Sequence, residues 1–400
     1  MEQDNPSPTC RMQLMQKQDH GSIWVPSTPL PHMVQLDALR GLAVLAVLVN
    51  HLAPHSSKIF ALADFIGLGG LGVRLFFVLS GFLITGILLR AKAYCETGGL
   101  PVFYAFRQFY ARRVLRIVPL FYFAVGIAAI LNVPPVRDTL AWNAAFLTNF
   151  YIFLNGWSGS INHLWTLAVE EQFYLVWPWI ILLVSRRRVL ATILLMIVAG
   201  PVFRLLCGLY TGNDATLILP FSCLDTLGVG ALLALRKNRV GNRNCWKRRF
   251  PFNKTAPLLG IGVLAIFVLL GVMHRGRMVR YVIFDIGAAL ISGWVVSSAS
   301  IGFRGSMGKF LEIEPLVYVG AISYGIYVYH NFVLHFMYMP TPARILLLLH
   351  SSLLAALLIG GVTICLAALS WHFFERPINN LKRYFKYKGD RVSREVAQSA

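Results

Sequence analysis

The stretch GLGGLGVRLFFVLSGFLITGILLR, residues 67–90, admits two readings, and the choice between them decides the fold. Gly67, Gly69 and Gly72 match the G-x-G-x-x-G spacing of a dinucleotide-binding loop. Such a loop needs a strand before it, whereas here an apolar run of membrane-spanning length follows directly. The segment is therefore read as a membrane helix whose glycines let a neighbouring helix come close. Arg74 and Ser80 are its polar exceptions, and the common fate of such a serine is a hydrogen bond back to its own helix.

The rest of the chain supports the membrane reading. Of 400 residues, 56% are hydrophobic and 14% charged, with a mean hydropathy of +0.62, which excludes an ordinary water-soluble globule. Apolar spans fall near 36–53, 68–89, 117–132, 166–184, 189–209, 217–235, 256–273, 281–301, 315–338 and 343–370. The expected fold is thus an all-α integral membrane protein of about ten transmembrane helices. A shorter segment at 140–154, interrupted by Asn143 and Asn149, is placed in a loop or along the interface.

Lys and Arg number 37 against 17 acids, a net charge of +20. With both termini cytoplasmic, 29 of the 37 cations fall on the cytoplasmic side, in agreement with the positive-inside rule. Arg275, Arg277 and Arg280 are the local exception, and Arg74 and Arg204 fall within spans. The basic loop over 236–254 is assigned to anionic headgroups rather than nucleic acid. Residues 1–35 read as a flexible cytoplasmic tail, 36–380 as the membrane domain and 381–400 as a basic cytoplasmic tail. The polar, proline-punctuated start lacks the pattern of a cleavable signal peptide. The six cysteines show neither a CxxC pair nor metal-ligand spacing, so neither a disulfide framework nor a metal site is indicated.

Several motifs place chemistry inside this apolar chain. LDALRGLAVLAVLVNH, residues 36–51, carries Arg40 and His51 eleven positions apart. Eleven steps of ~100° bring both to one helix face, separated by ~16 Å along the axis. One reading makes them functional; the other has Arg40 snorkelling to headgroups and His51 ending the span beside Pro54. FYARRVLRIVPLFYF, residues 109–123, clusters Arg112, Arg113 and Arg116, a set suited to gripping phosphate oxygens or simply to anchoring the span. HLWTLAVEEQFYLVWPW, residues 163–179, brings Glu170 and Glu171 into an aromatic and aliphatic helix. Glu170 shares a stripe with His163, Tyr174 and Trp177, so it is the acid expected to line a cavity; Glu171 shares its face with Leu164, Ala168 and Leu175. ISYGIYVYH sets Tyr324, Tyr327 and His330 on one helix, with His330 either lining a cavity or satisfied in the core. Glu375, Arg376 and Pro377 read as a structural stop.

In this order, the segments resemble acyltransferase family 3, a family of integral-membrane acyltransferases. The resemblance runs from Leu36 to about Lys386 and rests on the Arg-x10-His helix, the Gly-rich helix with FFVLSGF, the Arg113-x-x-Arg116 motif, the segment carrying Glu170, and the closing ISYGIYVYH and FFERP segments. It implies a ten-helix enzyme of the bacterial cytoplasmic (inner) membrane. Such an enzyme moves an acyl group, usually acetyl, from acyl-CoA to a hydroxyl of a carbohydrate-containing acceptor such as lipopolysaccharide, exopolysaccharide or peptidoglycan. The donor is a substrate, and no tightly bound cofactor is expected. Many relatives carry an added esterase-like domain outside the membrane; this sequence ends at Ala400 without one, so the expectation is either a separate extracytoplasmic protein for that domain's step or a reaction that needs no such step.

The resemblance assigns catalysis to His51 and Glu170, and donor binding to Arg40, Arg112, Arg113 and Arg116. His51 acts either as general base on the acceptor hydroxyl, with Glu170 orienting it or binding the sugar, or as a transient acyl carrier. Ser80, His163, Trp165, Tyr174 and His330 are candidates for the cavity or acceptor site. Trp142, Tyr151, Phe153 and Trp157 form either a sugar platform or an interfacial aromatic belt. A transporter or flippase is the alternative from another class, because intramembrane Arg, His and Glu also mark substrate pathways. A membrane scaffold that recruits partners through its basic loop leaves the helix-embedded charges unexplained.

Overall fold

The computed structural model describes residues 33–53, 57–99, 101–240, 252–272, 277–337 and 352–385. The tail over 1–32, the centre of the basic loop, Arg275, the start of the tenth apolar segment and the basic end beyond 385 lie outside the described residues. Among the described residues all regular structure is helical. The helices are α1 (Val34–Leu52), α2 (Lys58–Phe65), α3 (Leu68–Glu96), α4 (Val102–Ile130), α5 (Leu140–Ala144), α6 (Thr148–Asn155), α7 (Trp165–Leu183) and α8 (Arg186–Thr211). There follow α9 (Leu224–Val240), α10 (Phe252–Val272), α11 (Arg277–Ile301), α12 (Gly305–Leu311), α13 (Glu314–Ala321), α14 (Ser323–Met337), α15 (Ser352–Ser370) and α16 (Arg376–Asn380).

Among the described residues, six stretches are long and apolar enough to cross a membrane: α1, α3, α4, α8, Val282–Ile301 of α11, and Leu353–Tyr384, which begins within α15. A multi-pass membrane protein follows from these alone. The other four expected spans are also helical, but each departs from a simple span. In α7, Glu170, Glu171 and Gln172 follow one another and dilute the apolar run. The sixth becomes α-helical only at Leu224, because the Asn213 side chain caps a 3-10 turn by accepting from Ala215 N (2.8 Å), and Pro220 opens a second. The seventh has a shorter apolar stretch, Thr255–Leu270. The ninth is parted at Ile322, whose backbone (φ −94°, ψ 4°) leaves helical geometry between α13 and α14. The segment at 140–154 falls on α5 and α6, neither of which is long enough to cross a bilayer.

Glycines set the closest helix approaches. A Cβ on Gly81 of α3 would strike the Leu227 carbonyl of α9, and one on Gly230 of α9 would strike the Val78 carbonyl in return. Gly72, from the G-x-G-x-x-G stretch, lies against α1, with the Ala43 carbonyl 2.6 Å from where a Cβ would stand. The glycines therefore serve helix packing, the membrane reading of that stretch.

Arg74 and Arg204, which the sequence left without partners, are matched by two buried acids. Arg74 grips Asp285 bidentately (Nε–Oδ1 2.6 Å, Nη2–Oδ2 2.9 Å), and Arg204 grips Asp225 (Nη2–Oδ2 2.6 Å, Nη1–Oδ1 3.0 Å). Arg204 Nε also lies 3.3 Å from Asp285 Oδ2, which joins the pairs into one network across α3, α8, α9 and α11. All four side chains are buried. Two positive and two negative groups so arranged satisfy one another in a medium that would otherwise penalise each heavily. Buried Lys92 of α3 donates to the carbonyls of Ile181 (2.9 Å) and Val184, which closes the C-terminus of α7.

Candidate active site

A cavity opens where α1, α3, α4, α7 and α14 meet. Arg40 of α1, Ser80 of α3, Arg113 and Arg116 of α4, Glu170, Glu171 and Tyr174 of α7, and Tyr324 and Tyr327 of α14 contribute its polar wall. Phe76, Phe77, Leu79, Leu83, Ile84 and Leu167 contribute apolar wall. Helical repeat explains the α7 contribution: Thr166, Glu170 and Tyr174 recur at intervals of four and present one stripe.

Ser80 does not turn back on its own helix; its hydroxyl donates to Glu170 Oε1 at 2.6 Å. Tyr174 OH reaches both Ser80 Oγ (3.0 Å) and Glu170 Oε2 (3.3 Å). Glu170 is thereby held in place between α3 and α7. The Arg113 guanidinium lies over the Tyr174 ring at 5.1 Å and near the Phe109 ring at 5.9 Å. Arg40 pairs with Asp37 in its own helical turn. Among the described residues, Arg113 and Arg116 form no ion pair. Glu170 and Glu171 share the cavity wall with these arginines but neither is in ion-pair contact with them, so two guanidinium groups face the opening with their hydrogen-bond donors available to an anion.

The expected site residues divide into three groups. Arg40, Ser80, Arg113, Arg116, Glu170 and Tyr174 come together in the cavity wall. Arg112, one position away, is half-buried and outside that wall, because its side chain leaves α4 about 100° from that of Arg113. Glu171, expected on another face, also lines the cavity: the opening spans enough of α7 to take in two adjacent side chains. Trp165 packs edge-on to Phe77 (centroids 6.0 Å) and is not in the wall.

The third group is the histidines, which lie beyond the cavity. Tyr327 and Thr166 close its end, Thr166 donating to Tyr327 OH (2.6 Å) and Tyr327 OH donating to the His163 carbonyl (2.8 Å). On the other side of Tyr327, its own carbonyl meets His330 Nδ1 (2.7 Å), and His330 Nε2 meets His51 Nδ1 (2.8 Å). His51 is exposed, whereas His330 and His163 are buried. Glu170 is bonded to Ser80 and Tyr174, and the side chain hydrogen-bonded to His51 is that of His330. His163 Nε2 donates to the Val328 carbonyl (3.1 Å), and its ring stands edge-on to His330 at 4.8 Å.

Sequence reasoning passed over Thr166 and the cavity role of Glu171. The i, i+4 spacing of Thr166 from Glu170 was the available signal for the first. Nothing local signals that His51 and His330, 279 positions apart, are hydrogen-bonded. Near the chain's end, Glu375 sits buried on a π-helical turn, Trp371–Glu375, and accepts from Ser370 Oγ (3.2 Å), which in turn accepts from Tyr329 OH (3.1 Å). The stop after α15 is thus tied to α14. Of the proposed aromatic platform, Trp142 and Tyr151 pack together (5.9 Å) while Trp157 is exposed.

Comparison with known proteins gives one consistent answer. The sequence profile of the acyltransferase domain family matches residues 33–372. YrhL of Bacillus subtilis is 30% identical, over 86% of this chain and 54% of its own length. The peptidoglycan O-acetyltransferase OatA of Listeria monocytogenes is 28% identical over 89% of this chain and 57% of its own. The O-acetyltransferase OatA of Staphylococcus aureus is 27% identical over 88% and 57%. The chain spans little more than half the length of these relatives, and no solved structure matches it. With cavity, arginines and histidines arranged on one helical scaffold and the family profile covering most of the sequence, this chain belongs to acyltransferase family 3, a family of acyltransferases.

Proposed function

We propose that this chain is a membrane-embedded O-acetyltransferase that moves an acetyl group from acetyl-CoA to a hydroxyl of a glycan. The bilayer carries ten spans with both termini cytoplasmic, in the bacterial cytoplasmic membrane. The observation that carries the reading is the pair Arg113 and Arg116, facing a cavity and, among the described residues, held in no ion pair. The phosphates of CoA match the free guanidinium donors, and bidentate guanidinium–phosphate contacts supply both affinity and orientation. The apolar wall of Phe76, Leu83 and Ile84 suits the pantetheine arm, which runs inward toward Tyr327.

His51 supplies the base once the Thr166–Tyr327 hydrogen bond that closes the cavity end opens and admits the thioester. Its imidazole removes the proton from the acceptor hydroxyl as the oxygen attacks the thioester carbonyl; the carbon–sulfur bond breaks, and the proton passes to the departing CoA thiolate. The products are an acetyl ester and CoA thiol. Attack by His51 itself on the thioester, with thiolate departure and later transfer to the hydroxyl, uses the same nitrogen lone pair. The exposed position of His51 lets a large acceptor approach from the side opposite the arginines. The name of the Listeria relative makes peptidoglycan the first glycan to try.

The test is reconstitution of the purified chain in liposomes with radiolabelled acetyl-CoA and peptidoglycan, lipopolysaccharide or exopolysaccharide fragments. Label on a glycan, absent in His51→Ala, supports the enzyme reading. Near-normal labelling by His51→Ala sinks the role of His51. Movement of a substrate across the bilayer with no label transfer supports a transporter instead.

A further inference from the structure

We propose that His330 is a positioning residue that fixes the tautomer of His51 and leaves the lone pair on His51 Nε2. The inference rests on the reading of His51 as the reactive group, but its geometry is independent of that reading. The two ring centroids are 5.0 Å apart and the planes are within 13°. Each nitrogen lies about 1.1 Å from its ring centre, so a 2.8 Å Nδ1···Nε2 contact spans that separation only when the nitrogens point at one another. The rings are therefore joined edge to edge by a nearly coplanar hydrogen bond, not stacked face to face.

Donor and acceptor roles follow in one chain. The Tyr327 carbonyl can only accept, so the proton of neutral His330 is on Nδ1. His330 Nε2 is then an acceptor, and the hydrogen in the contact belongs to His51 Nδ1. His51 Nε2 is left without a proton and is the base or nucleophile. A doubly protonated His330 would reverse the bond, but it would set a cation on a side chain 1% exposed, beside two other imidazoles. His163 holds the His330 ring from its other side and is itself fixed by the Val328 carbonyl.

The arrangement does what a carboxylate does behind a catalytic histidine elsewhere: it selects the tautomer and the ring orientation. A neutral acceptor does so without the cost of burying an anion in an apolar site. Tyr327 serves both sides of the site, since its hydroxyl helps close the cavity while its carbonyl starts the relay that reaches His51.

Three variants and one spectrum test this. In His330→Gln the amide oxygen falls where Nε2 was and can accept from His51, so kcat should stay within about 5-fold of wild type. In His330→Asn the amide is one carbon too short to reach His51, and in His330→Phe no acceptor exists; both should lower kcat about 100-fold with KM for acetyl-CoA nearly unchanged. Wild-type activity in His330→Phe, or a His330→Gln variant as slow as His330→Phe, overturns the proposal. Should the variants fail to fold, 15N NMR of the histidine-labelled wild-type protein decides: a protonated Nδ1 and unprotonated Nε2 on His51 are expected, and the opposite tautomer overturns the assignment. Full activity in His51→Ala would instead remove the functional reading while leaving the tautomer result standing.

Discussion

Two pairs of arginines lie inside the helix packing, and their surroundings differ in one respect. Arg74 and Arg204 are each gripped bidentately by an aspartate, and Asp285 links them. Arg113 and Arg116 face a cavity, and among the described residues neither has an ion-pair partner. The first set is electrically complete and ties four helices together. The second shares its cavity with Glu170 and Glu171 but is bonded to neither, so its guanidinium donors are left for an entering anion. In an apolar protein, where an arginine is expensive wherever it sits, the presence or absence of a direct ion pair separates charge used for folding from charge used for binding.

The largest effect expected from breaking this contrast is on the complete network. Asp285→Ala leaves Arg74 and Arg204 short of charge and should destabilise the fold by about 3–5 kcal/mol, read as a fall in melting temperature in detergent. Arg74→Met combined with Asp285→Leu removes both members of one pair and should recover most of that loss. Unchanged melting in Asp285→Ala would mean that the network is not structural.

Next in size, Arg113→Ala or Arg116→Ala should leave melting close to wild type and raise KM for acetyl-CoA about 10- to 150-fold, the range for losing one charge-assisted hydrogen-bond set worth about 1.5–3 kcal/mol. A smaller loss, about 10-fold in kcat, is expected for Ser80→Ala, which removes one of the hydrogen bonds holding Glu170. The smallest is Arg112→Ala. Outside the cavity wall, it should change KM for acetyl-CoA by less than about 3-fold; an effect equal to that of Arg113→Ala would show that the whole basic cluster, not the cavity, binds the donor.

Local pattern made the membrane helices and much of the cavity readable before any coordinates. Arg40 and His51 needed only the helical repeat to be placed on a single helix, and α1 contains both. Arg113, Arg116 and Glu170 were conspicuous because charge is rare in such segments. What escaped was non-local. Asp285 is 211 positions from Arg74, and His330 is 279 from His51, so no spacing rule pairs them. Periodicity also misjudged Glu171, because it assumes a contact stripe of fixed width whereas five helices leave a wider opening. The break at Ile322 falls between Gly320 and Gly325, and those weak helix formers were a local marker that the hydropathy reading of 315–338 as one span overrode.

The contrast between the two arginine sets is tested most directly by measuring acetyl-CoA binding and thermal unfolding together on two double variants, Arg113→Ala/Arg116→Ala and Arg74→Met/Asp285→Leu. The account predicts that the first loses acetyl-CoA binding with its melting temperature held, while the second binds acetyl-CoA as the wild type does. Equal binding by Arg113→Ala/Arg116→Ala and the wild type would contradict it.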